Sequence, residues 1–122
     1  MIVLAIDLGE TTGYAYTEDG VLLHHGTCAL GAILPAKFKP DVCVIERPAY
    51  VPGRAQEGYD RALAALAIRF GSKVRVVRAT DWMARFKHHP LPGGPGYLPT
   101  QHEKDAYRMA VWALEKFKEE KK

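Results

Sequence analysis

Cysteine is scarce in this chain of 122 residues: Cys28 and Cys43 are its only two, and neither lies in a CxxC pattern or another zinc-binding spacing. A disulfide-stapled secreted domain is therefore excluded, and we expect two thiols in a reducing compartment. Long apolar runs are missing too, because the longest nearly uncharged stretch, 62–68, is far below the roughly 20 residues of a membrane helix. The apolar N-terminus ends at Asp7 with no basic region before it, which indicates a strand rather than a signal peptide. These absences predict a cytoplasmic protein with no membrane partner.

The excess of basic residues is small. Seventeen Lys and Arg against 14 Asp and Glu give a formal net charge of +3 with neutral histidines. Such a bias suits a polyanionic partner without requiring one. With 48% hydrophobic and 25% charged residues, the composition is that of a folded globular chain. Its length fits one domain that spans residues 1–122.

Short apolar runs indicate strands. Residues 2–6 and 42–45 are unbroken β-favouring runs, which is typical of central strands buried on both faces. An Asp-Gly pair at residues 19–20 predicts a tight hairpin, so the chain is expected to open with a three-stranded antiparallel meander. The predicted strands are 2–6, 12–17, 21–27, 42–45 and 73–78.

Helical patterns lie between and after these strands. Within a helix predicted over 54–70, residues 62–68 are apolar around the whole circumference, which favours a second packing partner besides the sheet. We expect this partner to be a second copy of the chain. The predicted helices are a short one within 28–38, the one over 54–70, a short one capped by Thr80 or Asp81 that runs through Arg85, and a last one from a Thr100–Glu103 capping box to about residue 118. The element order predicts an α/β fold, a mixed five-stranded sheet with helices on both faces.

Three acids from separate segments stand at strand ends or on a helix face: Asp7, Glu46 and Asp105. A single acid at a strand end commonly caps the next element or is solvated, so each alone is weak evidence. If the strands that end at Asp7 and Glu46 are parallel neighbours, their carboxyl ends lie side by side, where α/β sheets bind ligands. Converging carboxylates repel one another, so a bound metal ion accounts for the set.

His102 precedes Asp105 by three residues, which places imidazole and carboxylate on one helix face, as in metal-binding helical motifs. The positive end of the helix dipole favours the neutral, ligating imidazole. An oxygen-rich site with one nitrogen suits Mg²⁺ or Mn²⁺. Two such ions, roughly 3.5–4 Å apart, activate a water and stabilise the leaving oxygen in phosphodiester hydrolysis. The pattern therefore predicts a nuclease centre.

Three short motifs occur in a fixed order across nearly the whole chain. They are Asp7-Leu8-Gly9 with Thr12-Gly13-Tyr14, then Ile45-Glu46-Arg47-Pro48, then His102-Glu103-Lys104-Asp105-Ala106. In their order and their strand, strand and helix contexts, they resemble the RuvC family of Holliday junction resolvases, which has a ribonuclease H-like fold. The chain is shorter than the bacterial members and looks more like a compact phage-type version.

The resemblance implies a role for each candidate ligand. Asp7 is implied to bridge two metal ions, Glu46 to bind one of them, and Asp105 with His102 to bind the other. The resemblance also implies a homodimer that resolves four-way or branched DNA junctions by paired symmetrical nicks. The family places an aromatic residue shortly after the catalytic Glu, where it stacks at the exchange point, and Tyr50 is the nearest candidate.

Basic side chains near the acids are candidates for contacts with DNA phosphates. Arg47 and Arg54 follow the second acid, while Lys104 and Arg108 lie four residues apart on a helix whose opposite face is expected to bear the ligands. Ordinary solvated charges are the alternative for each of them. If several do bind phosphates, the affinity for DNA should fall steeply with salt.

Two other functions stay open. Residues 7–13 also resemble the opening phosphate loop of the actin and sugar-kinase superfamily, which would make the chain an ATPase-like fragment. That superfamily needs a second domain with a second phosphate loop, and the length of this chain argues against one. The other alternative is a non-catalytic DNA-binding module of the same fold, against which the complete set of four candidate ligands argues.

Overall fold

Five strands among the described residues form one mixed sheet. The computed structural model describes residues 1–32, 34–35, 37–47, 54–86 and 98–118. The strands are β1 (Ile2–Asp7), β2 (Thr11–Glu18), β3 (Val21–Ala29), β4 (Val42–Glu46) and β5 (Val74–Val77). Their order is β3-β2-β1-β4-β5; β1 to β3 are antiparallel, and β4 and β5 continue the sheet in parallel with β1. The predicted five-stranded mixed sheet and its opening meander are confirmed.

Three α-helices and one short 3-10 helix accompany the sheet in the described part of the chain. They are α1 (Arg54–Phe70), the 3-10 helix (Gly71–Lys73), α2 (Ala79–Phe86) and α3 (Gln101–Phe117). The hairpin between β2 and β3 turns at Asp19 and Gly20, both with positive φ, as the Asp-Gly pair predicts.

The helix predicted within residues 28–38 is wrong. Strand β3 continues to Ala29, the amide of Leu30 then donates to the carbonyl of Glu10 beside β2, and the amide of Ala32 donates to the carbonyl of Ala29 in a turn. Gly31 has a φ of +84°, which a helix does not accept. The segment instead inserts the buried side chains of Leu34 and Phe38 into the core.

The start of α2 also differs from the prediction. Neither Thr80 nor Asp81 is the residue before the helix. The Asp81 carboxylate lies inside the first turn and accepts a hydrogen bond from the backbone amide of Arg78 at 2.8 Å. A side chain therefore does cap the helix, but the capping carboxylate belongs to the first turn and binds the amide of the residue that precedes the helix.

The two faces of the sheet are covered by different helices, which confirms helices on both faces. Because side chains alternate along a strand, Leu4 and Ile6 of β1 pack with α1, whereas Val3 and Ala5 pack with α2 and α3. The central strands are buried on both sides, as their unbroken apolar runs predict. Within the described segments, no helix combines the length and the apolarity needed to cross a membrane.

Candidate active site

Asp7 and Glu46 end neighbouring parallel strands at the same level. They are paired residues in the register of β1 and β4, and their carboxyl ends meet at one edge of the sheet. By strand alternation Asp7 shares a face with Val3 and Ala5, and Glu46 shares that face with Val44. Both acids therefore lie on the face covered by α2 and α3. The predicted adjacency of the two strand ends is confirmed.

The start of α3 lies close to the end of β1. Thr100 caps the helix: its hydroxyl accepts from the amide of Glu103, and the Glu103 carboxylate accepts from the amide of Thr100. The first turn then rests against Gly13, the β2 residue that pairs with Asp7. A Cβ atom at Gly13 would lie only 2.5–2.6 Å from atoms of His102. Only glycine permits this approach, and it brings Nδ1 of His102 to 3.2 Å from Oδ2 of Asp7.

Asp105 follows one helical turn later, beside the same pair. Its carboxylate accepts a hydrogen bond from Gln101 at 2.8 Å and forms an ion pair with Arg108 at 3.6 Å. Burial raises the pKa of Asp105, and the charge of Asp7 adds to this, against the opposing effects of Gln101 and Arg108. The charge of Asp7 therefore reaches the Asp105 carboxyl group.

Glu46 carries the largest electrostatic perturbation of the four. Burial raises its pKa to about 7, helped by a hydrogen bond to Asp7 and by the charges of Asp7 and Asp105. One contact acts in the opposite direction: the indole Nε1–H of Trp82 donates to Oε1 of Glu46 at 2.7 Å. A carboxyl with a pKa near neutrality at a strand edge is typical of a functional site.

The donor set fits a divalent cation. The charge of Asp7 raises the pKa of both Glu46 and Asp105, with the imidazole of His102 beside Asp7, and a cation among these carboxyl groups would relieve their repulsion. As they stand, no three His, Cys, Asp or Glu side chains in the described segments are close enough together to hold a metal ion. Holding one therefore requires these side chains to turn toward a common point, and His102, whose side chain is 45% exposed, has room to do so.

The basic residues predicted to contact DNA have different surroundings. Arg47 is exposed and lies 3.4 Å from Asp60 of α1, and Lys104 is exposed on α3. Arg108 contacts Asp105, so it does not lie on a face opposite the acids as its spacing suggested. Tyr50 and the side chain of Arg54 lie outside the described residues.

Three residues at the site were missed by sequence reasoning. Trp82 follows Glu46 by 36 positions, and no local pattern connects the two. Glu103 was expected only as a capping residue, but it is almost fully buried. Its Oε1 atom forms a hydrogen bond with Nδ1 of His25 in β3 at 2.9 Å. Burial alone would raise the pKa of Glu103, but hydrogen bonds from His25 and Thr100 outweigh it and lower the pKa. Gly13 was part of a motif, and its place opposite Asp7 in the hairpin could have identified it as a contact point.

Two solved structures share this architecture. Thermus thermophilus RuvC in complex with a Holliday junction substrate matches with a TM-score of 0.70 at 17% identity, over 92% of this chain and 91% of that one. This chain has the RuvC fold. A second T. thermophilus RuvC structure gives a TM-score of 0.63 at 17% identity, over 99% of this chain and 97% of the RuvC chain. No protein-family model and no curated protein matches the sequence. At this identity the likeness to RuvC shows the fold, and the activity has to be argued from the site.

Proposed function

We propose that this protein is a divalent-metal-dependent endonuclease that resolves four-way or branched DNA. The observation that carries the proposal is the gathering of Asp7, Glu46, His102 and Asp105 at one edge of a RuvC-like sheet. These four groups come from three distant segments of the chain. Three carboxyl groups and an imidazole rarely lie together on a protein surface without a function. The solved relative bound to a Holliday junction supports junction DNA as the substrate class.

The proposed ligand roles are those that the resemblance to RuvC implies: Asp7 would serve two cations, Glu46 one of them, and Asp105 with His102 the other. The pairing of Asp7 with Glu46 in the sheet and its contact with His102 support this assignment. Bound Mg²⁺ or Mn²⁺ supplies Lewis acidity and lowers the pKa of a water for attack on the phosphodiester. The chain's own contribution is to bring three carboxyl groups and an imidazole to one edge of the sheet, where cation binding would favour the deprotonated carboxylates.

The proposed assembly is a homodimer that makes paired nicks. Helix α1 exposes Ala64, Ala67 and Ile68, the last with 86% of its surface accessible, and these apolar residues are candidates for the contact with a second copy. A two-fold dimer presents two identical sites, which matches the symmetry of a four-way junction. We place the protein in the cytoplasm of a bacterial or phage-infected cell, where such DNA arises. Light scattering tests the dimer, and a strictly monomeric active protein would contradict paired nicking.

Cleavage of a synthetic mobile four-way junction tests the activity. The junction and a linear duplex of the same sequence are each incubated with Mg²⁺, Mn²⁺ or EDTA. We expect paired nicks in the junction only, and none in EDTA. Absence of cutting with every metal, together with tight junction binding, would favour a non-catalytic module, and saturable ATP binding without DNA would favour the ATPase-like alternative.

Asp7→Asn tests the site itself. Loss of the shared carboxylate should lower cleavage at least a hundredfold, while junction binding in Ca²⁺ stays within a few fold of the wild type. Glu18→Gln is the matched control, because this exposed acid lies at the opposite end of the sheet, paired with Ile2. Normal cleavage by Asp7→Asn would show that the proposed metal site is wrong.

A further inference from the structure

Trp82 makes one polar contact that no sequence pattern indicates. Its indole Nε1–H donates to Oε1 of Glu46 at 2.7 Å, and only 2% of Trp82 is exposed. The indole nitrogen is a donor only, so a buried tryptophan requires an acceptor. Here the acceptor is the side-chain carboxyl group of Glu46, which ends β4, and the hydrogen bond is short.

The backbone around this contact holds the two side chains in a fixed relation. Val77, the last residue of β5, pairs with Glu46 in the sheet, and the amide of Arg47 donates to the carbonyl of Val77 at 3.0 Å. Helix α2 begins two residues after Val77, with the Asp81 carboxylate bonded back to the amide of Arg78. The strand end and the first turn of α2 are therefore tied together, and Trp82 projects from that turn.

The Trp82 ring is also fixed by packing. It belongs to the core between the sheet and helices α2 and α3, where it packs among Val44, Val77 and Met109. Rotation of the ring away from Glu46 would leave a cavity and an unsatisfied N–H group. The donor is consequently as rigid as the core itself, whereas the carboxylate that it contacts stands at the solvent edge.

We propose that Trp82 is a positioning residue for the cation site: its indole N–H holds one oxygen of Glu46 and thereby presents the other to a divalent cation shared with Asp7. The inference rests on the proposed function. A carboxylate without this donor has freely rotating χ angles and a second oxygen free to take other partners, so it binds a cation with a larger loss of entropy. Donors behind metal ligands typically change metal affinity or activity by 10- to 100-fold.

Trp82→Phe tests the inference, because it removes the N–H and retains an aromatic ring. Trp112→Phe is the matched control: it makes the same chemical change in the same core, with Trp112 partly buried against it. Calorimetric titration with Mn²⁺ in the absence of DNA measures affinity, urea unfolding measures stability, and junction cleavage against Mn²⁺ concentration separates binding from turnover. We expect Trp82→Phe to weaken Mn²⁺ binding about tenfold or more and to regain most of its cleavage rate at saturating Mn²⁺. Trp112→Phe should bind Mn²⁺ within twofold of the wild type.

If the wild type is active and a folded Trp82→Phe protein binds Mn²⁺ as tightly as the wild type, the positioning role of Trp82 is overturned. The proposed function is not affected by that result. A wild type that neither binds Mn²⁺ nor cuts the junction would overturn the proposed function. If Trp82→Phe lowers the folded fraction, benzothienylalanine at position 82 in the Trp112→Phe chain keeps the shape of the indole without its N–H. Equal Mn²⁺ affinity of that chain and its Trp112→Phe parent would refute the positioning role.

Discussion

The surroundings of Glu46 shift its pKa in opposite directions. Burial and the neighbouring Asp7 and Asp105 raise its pKa to about 7, although the Trp82 indole partly stabilises the charged form. The folded protein without metal therefore binds a proton at Glu46 that the unfolded chain, with a carboxyl of ordinary pKa, has already released. Between about pH 4.5 and 7 the folded state holds more protons than the unfolded state.

The metal-free protein should therefore lose stability as the pH rises from about 5 to 8. The contribution of Glu46 is fully present below its unfolded pKa and is lost as the pH passes its folded pKa of about 7. Urea unfolding in EDTA at a series of pH values measures this, and Glu46→Gln should flatten the slope. Asp105 adds a slope of the same sign because its pKa is also raised.

Two outcomes would contradict this assignment: a free energy of unfolding that rises between pH 5 and 8, or an unchanged slope in Glu46→Gln. Added Mn²⁺ should restore stability at pH 8, because it binds the folded state.

The first turn of α3 owes its position to contacts with two strands. Gly13 of β2 admits the backbone of His102, and Glu103 is bound by His25 of β3 at 2.9 Å. The capping box orients the same turn from within the helix. Because His102 belongs to that turn, the distance between its imidazole and Asp7 depends on how closely the helix approaches the sheet.

Gly13→Ala should push the start of α3 away from β2. The added methyl would lie within about 2.6 Å of His102, so either the helix or the strand must shift. We expect a loss of about 1–3 kcal/mol in the free energy of unfolding and a larger than tenfold loss of cleavage. Gly58→Ala in α1 is the control: its nearest neighbour is Leu30 at 3.4 Å, and alanine favours helix, so stability should stay equal or rise by up to about 1 kcal/mol. Wild-type stability and cleavage in Gly13→Ala would show that α3 does not need this close approach.

Across the described residues, one sheet lies between two helical layers, with separate cores on its two faces. Leu4, Ile6 and Ile45 belong to the core under α1, and Val3, Val44 and Met109 to the core under α2 and α3. The candidate site lies at the edge of the second core. Its four side chains are therefore positioned by the same packing that stabilises this half of the fold.

Met109→Ala tests the second core. Met109 is fully buried on α3, so truncation should lower the free energy of unfolding by about 2–5 kcal/mol. Met83→Ala is the matched control, because Met83 is 52% exposed on α2 and should change stability by no more than about 0.5 kcal/mol. Urea unfolding of both variants gives the comparison, and a small effect of Met109→Ala would mean that α3 does not pack as described.

The elements were predictable wherever one local pattern dominated. The apolar runs of β1 and β4, the Asp19-Gly20 hairpin and the Thr100–Glu103 capping box are confirmed because each depends on neighbours a few residues apart. The pattern failed within residues 28–38. The short helix predicted there has no local support, and Leu34 and Phe38 are instead buried by tertiary contacts with the core under α1.

The sequence by itself determined the strand ends at Asp7 and Glu46, the start of α3 at Thr100 and the residue types at the site, because periodicity and capping are local. Only the tertiary structure decided which groups meet. Asp7 and His102 are 95 positions apart, His25 and Glu103 are 78 apart, and Glu46 and Trp82 are 36 apart. Contacts over such separations depend on strand order and on how closely a helix approaches the sheet. These are set by the packing of the whole core, and no short stretch of sequence encodes them.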